Sequence, residues 1–165
     1  MTRLPGNILG LLQAQWKMET ANSMRYRALA SRMRCLGWEG SADFFDAEAK
    51  GEAHHARKVQ RYLEQRNECL DATLVFTETF VNMSLTDAFN AAMTAETNTT
   101  SALQALYEVA QIEKDFLTVE WLRGLLAIQA EEENTYQTIL DRITGRGQDS
   151  ATEHDIDVWV VKVFG

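Results

Sequence analysis

Proline is almost missing from this 165-residue chain: the single one, Pro5, stands near the start. With no proline further in, nothing of that kind removes a backbone donor or clashes with a preceding turn, and long helices are possible. Cysteine is scarce as well. Cys35 and Cys69 are the only two, too few for a disulfide framework, and they read as free thiols in a reducing compartment. Basic excess is absent. The formal net charge of -8 argues against nucleic acid as a partner and is compatible with attracting cations. No run of about 20 apolar residues occurs, so no membrane-spanning helix and no membrane partner is expected. The first residues, Met1 to Asn7, lack the apolar stretch of a signal peptide, and a cytoplasmic location is expected. The 45% hydrophobic content is that of a globular protein, and the length suits one domain over residues 1–165 with a full core.

Hydrophobic periodicity predicts four long helices. The first runs from about Ile8 to Leu36 with Asn7 as its N-cap, and its inward stripe is Leu12, Trp16, Glu19, Ser23, Tyr26, Ala30 and Met33. Gly37 suits its C-terminus. The second runs from about Ser41 to Arg66 with Phe45, Glu48, Glu52, His55, Val59 and Tyr62 inward; His54, about 100° round the wheel, is expected outside. Periodicity fades from Asn67 to Met83, which predicts a long crossover along the bundle. Ser84 with Asp87 marks the start of a third helix, about Leu85 to Ile112, with Phe89, Met93, Glu96, Thr100, Leu103, Tyr107 and Ala110 inward. The fourth runs from about Phe116 to Thr144, carries Leu122, Leu126, Gln129, Glu132, Tyr136, Ile139 and Ile143 inward, and ends at Gly145-Arg146-Gly147. A short apolar tail, Ile156 to Phe164, predicts a brief fifth helix over about 152–163. Its Val158, Trp159, Val161 and Phe164 are expected to pack into the bundle end or against symmetry mates. The fold class is therefore all-α: two antiparallel hairpins joined by a long crossover into a four-helix bundle, plus a short C-terminal helix.

Several of the inward residues are charged. Glu52 and His55 form Glu-x-x-His on one helix face. Thirty-three positions separate Glu19 from Glu52, and the same number separate Glu96 from Gln129, which is followed three residues on by Glu132. The midpoints fall at the Gly37 and Glu113 turns, so in antiparallel hairpins each set shares one height. Six polar side chains then converge on one core layer. Carboxylates packed there resist ionisation, and a pair of bound cations would neutralise them. Oxygen-rich ligands with one imidazole suit iron(II) or manganese(II) better than zinc. A hydrogen-bonded carboxylate layer without metal is the alternative.

Glu19 with Tyr26, Phe45, Glu52-x-x-His55-Ala56-x-Lys58, Glu96 and Gln129-Ala130-Glu131-Glu132-Glu133 together resemble the prokaryotic non-haem ferritins, from Trp16 to about Asp157. The resemblance implies a ferritin-like fold and a ferroxidase centre with two irons per subunit. One iron would be held by Glu19, Glu52 and His55, the other by Glu52, Glu96 and Glu132, with Glu52 bridging, Gln129 close by and Tyr26 beside the centre. Glu131 and Glu48 are further candidate ligands. It implies iron(II) as substrate, dioxygen or hydrogen peroxide as oxidant, and a 24-subunit shell storing ferric oxy-hydroxide. Gly51 and Ile128 stand where many bacterial members carry glutamates of a third iron site, and Gly124 where a tryptophan is often found, with Trp121 one turn earlier. Gln129-x-x-Glu132 in place of a second Glu-x-x-His argues against the bacterioferritin branch, and no haem is expected. A di-iron oxidoreductase or peroxide-consuming protein without storage, and a metal-free shell or partner-binding bundle, are the competing functional readings.

Overall fold

The computed structural model describes residues 3–146 and 151–165. Among them are five helices and no strand: α1 (Gly6–Cys35), α2 (Glu39–Gln65), α3 (Leu85–Ile112), α4 (Phe116–Thr144) and α5 (Glu153–Phe164). α1–α2 and α3–α4 are antiparallel hairpins, and α1 packs on α3. The expected all-α bundle with a short fifth helix is the observed architecture.

The caps explain the boundaries. Ser84 and Asp87 form a reciprocal capping box at α3, and Thr152 and Asp155 repeat it at α5, each satisfying two otherwise orphan donors. α1 stops because Gly37 takes φ +83°. That conformation lets the Trp38 N–H donate to the Met33 carbonyl at 2.9 Å and the Gly37 N–H to Arg34 at 3.0 Å, closing a Schellman turn. Two boundaries differ from expectation. α1 starts at Gly6 with Pro5 as N-cap, since proline needs no partner for a missing N–H and its φ suits a helix entrance. Asn7 lies inside the helix and donates from Nδ2 to Glu113 Oε1 at 2.6 Å. α2 starts at Glu39, before Ser41, because the backbone N–H groups of Gly40 and Ser41 are capped from afar by Asp157, at 3.3 and 2.6 Å. The expected end of α4 includes Gly147, which lies outside the described residues; Gly145 itself caps the helix at φ +70°.

The crossover follows α1 along its length, held rung by rung. Lys17 pairs with Asp71 at 3.2 Å, Arg25 pairs with Glu78, and Arg32 Nε donates to the Met83 carbonyl at 2.8 Å. It brings the chain to the far end, where α3 begins. α5 tucks Ile156 and Val160 into the core and sets Phe164 edge-on to Phe44 at 6.3 Å. Trp159 lies under the Arg142 guanidinium at 4.7 Å. The tail thus packs into the bundle end, but through Ile156 and Val160 on its inner face; Val158 is exposed.

The apolar core is split in two. An aromatic-rich cluster holds Tyr26, Phe44, Phe45, Phe89 and Tyr136, and an aliphatic one holds Leu12, Val59, Leu63, Leu103 and Leu122. Both are fully desolvated, so the polar layer between them has little water to screen it.

Candidate metal centre

The layer between the clusters is where the hairpin arms match in height. Ligand atoms of Glu19, Glu52 and His55 lie within 4.8 Å of one another, and so do those of Glu52, Glu96 and Glu132. Glu52 belongs to both groups. Its position on α2 follows from the i, i+3 spacing to His55, which stacks the two side chains on one face. The His55 Nδ1 is 3.7 Å from Glu52 and 4.0 Å from Glu19, and its Nε2 is 3.6 Å from Glu132. Glu19, Glu52 and Glu96 are at most 3% exposed.

Flanking polar groups orient the carboxylates. Gln15 Nε2 donates to Glu19 Oε1 at 2.6 Å, and Gln129 Nε2 donates to Glu96 Oε2 at 2.5 Å. The Tyr26 hydroxyl donates to the other Glu96 oxygen. Glu19 Oε2, Glu52 Oε2 and Glu132 Oε2 are buried and accept no hydrogen bond. Three orphaned carboxylate oxygens in one layer are costly, and cations lying between them would satisfy all three. The donor set fits hard-to-borderline divalent ions.

Electrostatics agree. Burial, then the Glu19 carboxylate and the charges of Glu96 and Glu132, pushes the Glu52 carboxyl up. Burial and the neighbouring Glu96 and Glu48 raise Glu132 to about 9. Burial raises Glu96 against the opposing hydrogen bonds from Tyr26 and Gln129, and raises Glu48 to about 7. Burial lowers His55, which keeps an imidazole lone pair free for coordination. Both Tyr26 and Tyr136 are held protonated by burial and the adjacent carboxylates.

The structure therefore brings Glu19, Glu52, His55, Glu96, Glu132 and Gln129 together, with Tyr26 on the rim. Glu131 is exposed, and Glu48 accepts from the Tyr136 hydroxyl at 3.1 Å; neither belongs to the two ligand groups. His54 is exposed. Trp121 stacks on Tyr62 at 4.2 Å in the aliphatic cluster. Sequence reasoning missed Gln15 and Tyr136 as contributors. Gln15, four residues before Glu19 on the same face, was a findable signal.

A family model described as Ferritin-like domain matches residues 9–145. A bacterial non-heme ferritin of Staphylococcus haemolyticus is 29% identical over 149 residues, 90% of each chain. That of Staphylococcus epidermidis is 28% identical over 149 residues, again 90% of each. Among solved structures, an open pore ferritin from the hyperthermophilic archaeon Archaeoglobus fulgidus superposes with a TM-score of 0.88 at 24% identity, covering 96% of this chain and 98% of that one. An engineered closed form of the same ferritin gives a TM-score of 0.86 with 96% of both chains covered.

Proposed function

This chain belongs to the ferritin-like domain family, a family of iron-storing and iron-oxidising proteins, and from that premise we propose that it oxidises iron(II) at the paired carboxylate site and stores the ferric product in a shell of its own copies. The observation that carries this reading is the double ligand group sharing Glu52, with three buried carboxylate oxygens lacking any donor.

In this reading Glu19, Glu52 and His55 hold one iron(II), and Glu52, Glu96 and Glu132 hold the other. Gln15 and Gln129 fix the carboxylates that they donate to, and Tyr26 fixes the second oxygen of Glu96. Binding displaces the protons that the crowded carboxyls retain, so loading is coupled to proton release. Each iron gives up one electron. The two electrons, with two protons, take dioxygen to hydrogen peroxide, or take hydrogen peroxide to two waters. The protein contributes ligand geometry, a shared bridge and a dry surrounding, while the metal supplies the redox chemistry. The product leaves for the shell interior as ferric oxy-hydroxide. The two ligand groups support a reading of two irons per chain, and that reading implies no haem and work in the cytoplasm.

The test is aerobic addition of iron(II) to metal-free protein. Fast growth of ferric absorbance, with iron retained by a species of hundreds of kilodaltons on size exclusion, is the expected result. Oxidation by a species of the size of one or two chains, without retained iron, would replace storage by a non-storage di-iron oxidoreductase. No acceleration over buffer would remove the enzymatic reading altogether.

A further inference from the structure

The aromatic cluster beside the carboxylate layer mixes phenylalanines with two tyrosines, Tyr26 and Tyr136, both 0% exposed. Phenylalanine would fill the same space without burying a hydroxyl, which is costly unless it is hydrogen-bonded. Each hydroxyl finds a carboxylate. Tyr26 donates to Glu96, a member of the second ligand group, and Tyr136 donates to Glu48 at 3.1 Å. The two rings stack with centroids 6.1 Å apart and planes inclined by 28°. A chain of contacts thus runs from the paired site through Glu96 and Tyr26 to Tyr136, and ends on Glu48.

A phenol gives up an electron readily only when its proton leaves with it, and that needs a base in hydrogen-bond contact. The two bases differ. Glu96 is a ligand in the ferroxidase reading, and Gln129 and Tyr26 already donate to its oxygens. Glu48 belongs to neither ligand group and is half-buried, so a proton that it takes up can pass on to water. Tyr136 therefore has what Tyr26 lacks, a proton acceptor free of the metal.

A half-loaded site needs such a group. One iron(II) gives hydrogen peroxide a single electron, which yields hydroxide and a hydroxyl radical. We propose that Tyr136, with Glu48 as its proton acceptor, is a one-electron reserve that supplies the missing electron across Tyr26 when only one iron(II) is bound. The proposal rests on the ferroxidase reading above. Hydrogen peroxide takes one electron from iron(II) and one from Tyr136; its O–O bond breaks, and with two protons it becomes two waters. The phenolic O–H of Tyr136 breaks, its proton passes to Glu48, and a neutral tyrosyl radical remains. A later iron(II) returns the electron and Glu48 the proton, which restores Tyr136 and leaves iron(III).

The test gives metal-free protein one iron(II) per chain without oxygen, mixes it with hydrogen peroxide and freeze-quenches it. Electron paramagnetic resonance reads the tyrosyl radical, and a spin trap reads hydroxyl radical. The wild type should show a tyrosyl signal and little trapped hydroxyl radical. Tyr136→Phe keeps the ring packing and should lose most of the tyrosyl signal while trapped hydroxyl radical rises. Glu48→Gln still accepts the hydrogen bond through its amide oxygen but takes no proton, and its tyrosyl yield should fall about tenfold. Manganese(II) binding reports on the ligand layer itself and should match the wild type in both variants. A tyrosyl signal as large in Tyr136→Phe as in the wild type would overturn the reserve. So would a loss of signal that only follows a loss of manganese(II) binding, or wild-type oxidation of iron(II) with no tyrosyl signal. A wild type that oxidises no iron(II) would instead mark failure of the ferroxidase reading.

Discussion

Replacing Glu132 by glutamine should make the metal-free protein more stable. The Glu132 carboxyl is raised from 4.5 to about 9 by burial first and then by Glu96 and Glu48. At neutral pH the folded chain therefore keeps a proton there that the unfolded chain has released. Holding it from 4.5 to pH 7 costs about 3 kcal/mol, at about 1.4 kcal/mol for each tenfold change in proton activity. Solvent reaching the 22% exposed side chain trims that figure. The sign is definite: the folded state binds more protons than the unfolded one between 4.5 and about 9, so stability is greatest below the lower value and falls as pH rises through the window. Glu48, raised to about 7, adds to the same slope over the lower part of it. Glu132→Gln removes the larger titration, and its amide can donate to the acceptor-rich layer. Denaturant or thermal unfolding of metal-free protein at several pH values from about 5 to about 9 is the assay. The variant should gain up to about 3 kcal/mol at neutral pH, or roughly 6–12 °C in Tm, with a shallower pH slope. Adding manganese(II) should stabilise the wild type more than the variant. A variant that is less stable at neutral pH, with the wild-type pH slope, would refute the view that this layer is strained until cations fill it.

Glu52→Ala should abolish fast iron(II) oxidation while leaving helicity and assembly intact, because Glu52 is the one residue common to both ligand groups; initial rates of ferric absorbance check it. Fast oxidation should saturate at about two iron(II) per chain, one for each ligand group, with slower growth afterwards. Gly51 and Ile128 offer no side-chain oxygen, and Glu131 is exposed and outside both ligand groups, so a well-occupied third iron on Glu131 in briefly soaked crystals would contradict this. Asp157→Ala should cost about 1–2 kcal/mol, the worth of a helix N-cap, and deletion from Ile156 onward should cost more because Ile156 and Val160 leave the core; thermal unfolding distinguishes the two.

What the chain disclosed by itself was whatever rested on local spacing. The start of α3 was legible because Ser84 and Asp87 are three residues apart and cap each other. The convergence of Glu19, Glu52, His55, Glu96 and Glu132 on one layer was legible because helices convert residue number into height, and equal distances from a turn give equal height. Asn7 misled because an N-cap residue type counted for more than the proline two positions earlier. Ser41 misled because the true cap of α2, Asp157, is supplied from 116 residues away, a contact no local pattern encodes. The buried hydrogen bond from Asn22 on α1 to Thr99 on α3 was hidden for the same reason: polar residues on a bundle seam declare a need for partners without naming them. The inner face of α5 needed the orientation of its docking, since a 12-residue apolar helix has several plausible faces.

The close approach at Gly40 makes one part of this architecture intolerant in a way its turns are not. A Cβ there would stand 2.1 Å from the Asp157 carbonyl oxygen, so any other residue would force α5 away from the start of α2. The two hairpin turns can lengthen, since they lie outside the segments that set ligand height. The arms between turn and ligand cannot: one inserted residue rotates everything beyond it by about 100° and moves it about 1.5 Å along the axis, turning a ligand toward solvent. Length variation in this chain should therefore be confined to the turns and the crossover. An arm should change only by a near-whole number of turns, and only together with the arm that faces it. The buried carboxylate layer acts as a ruler against which the four helices are cut.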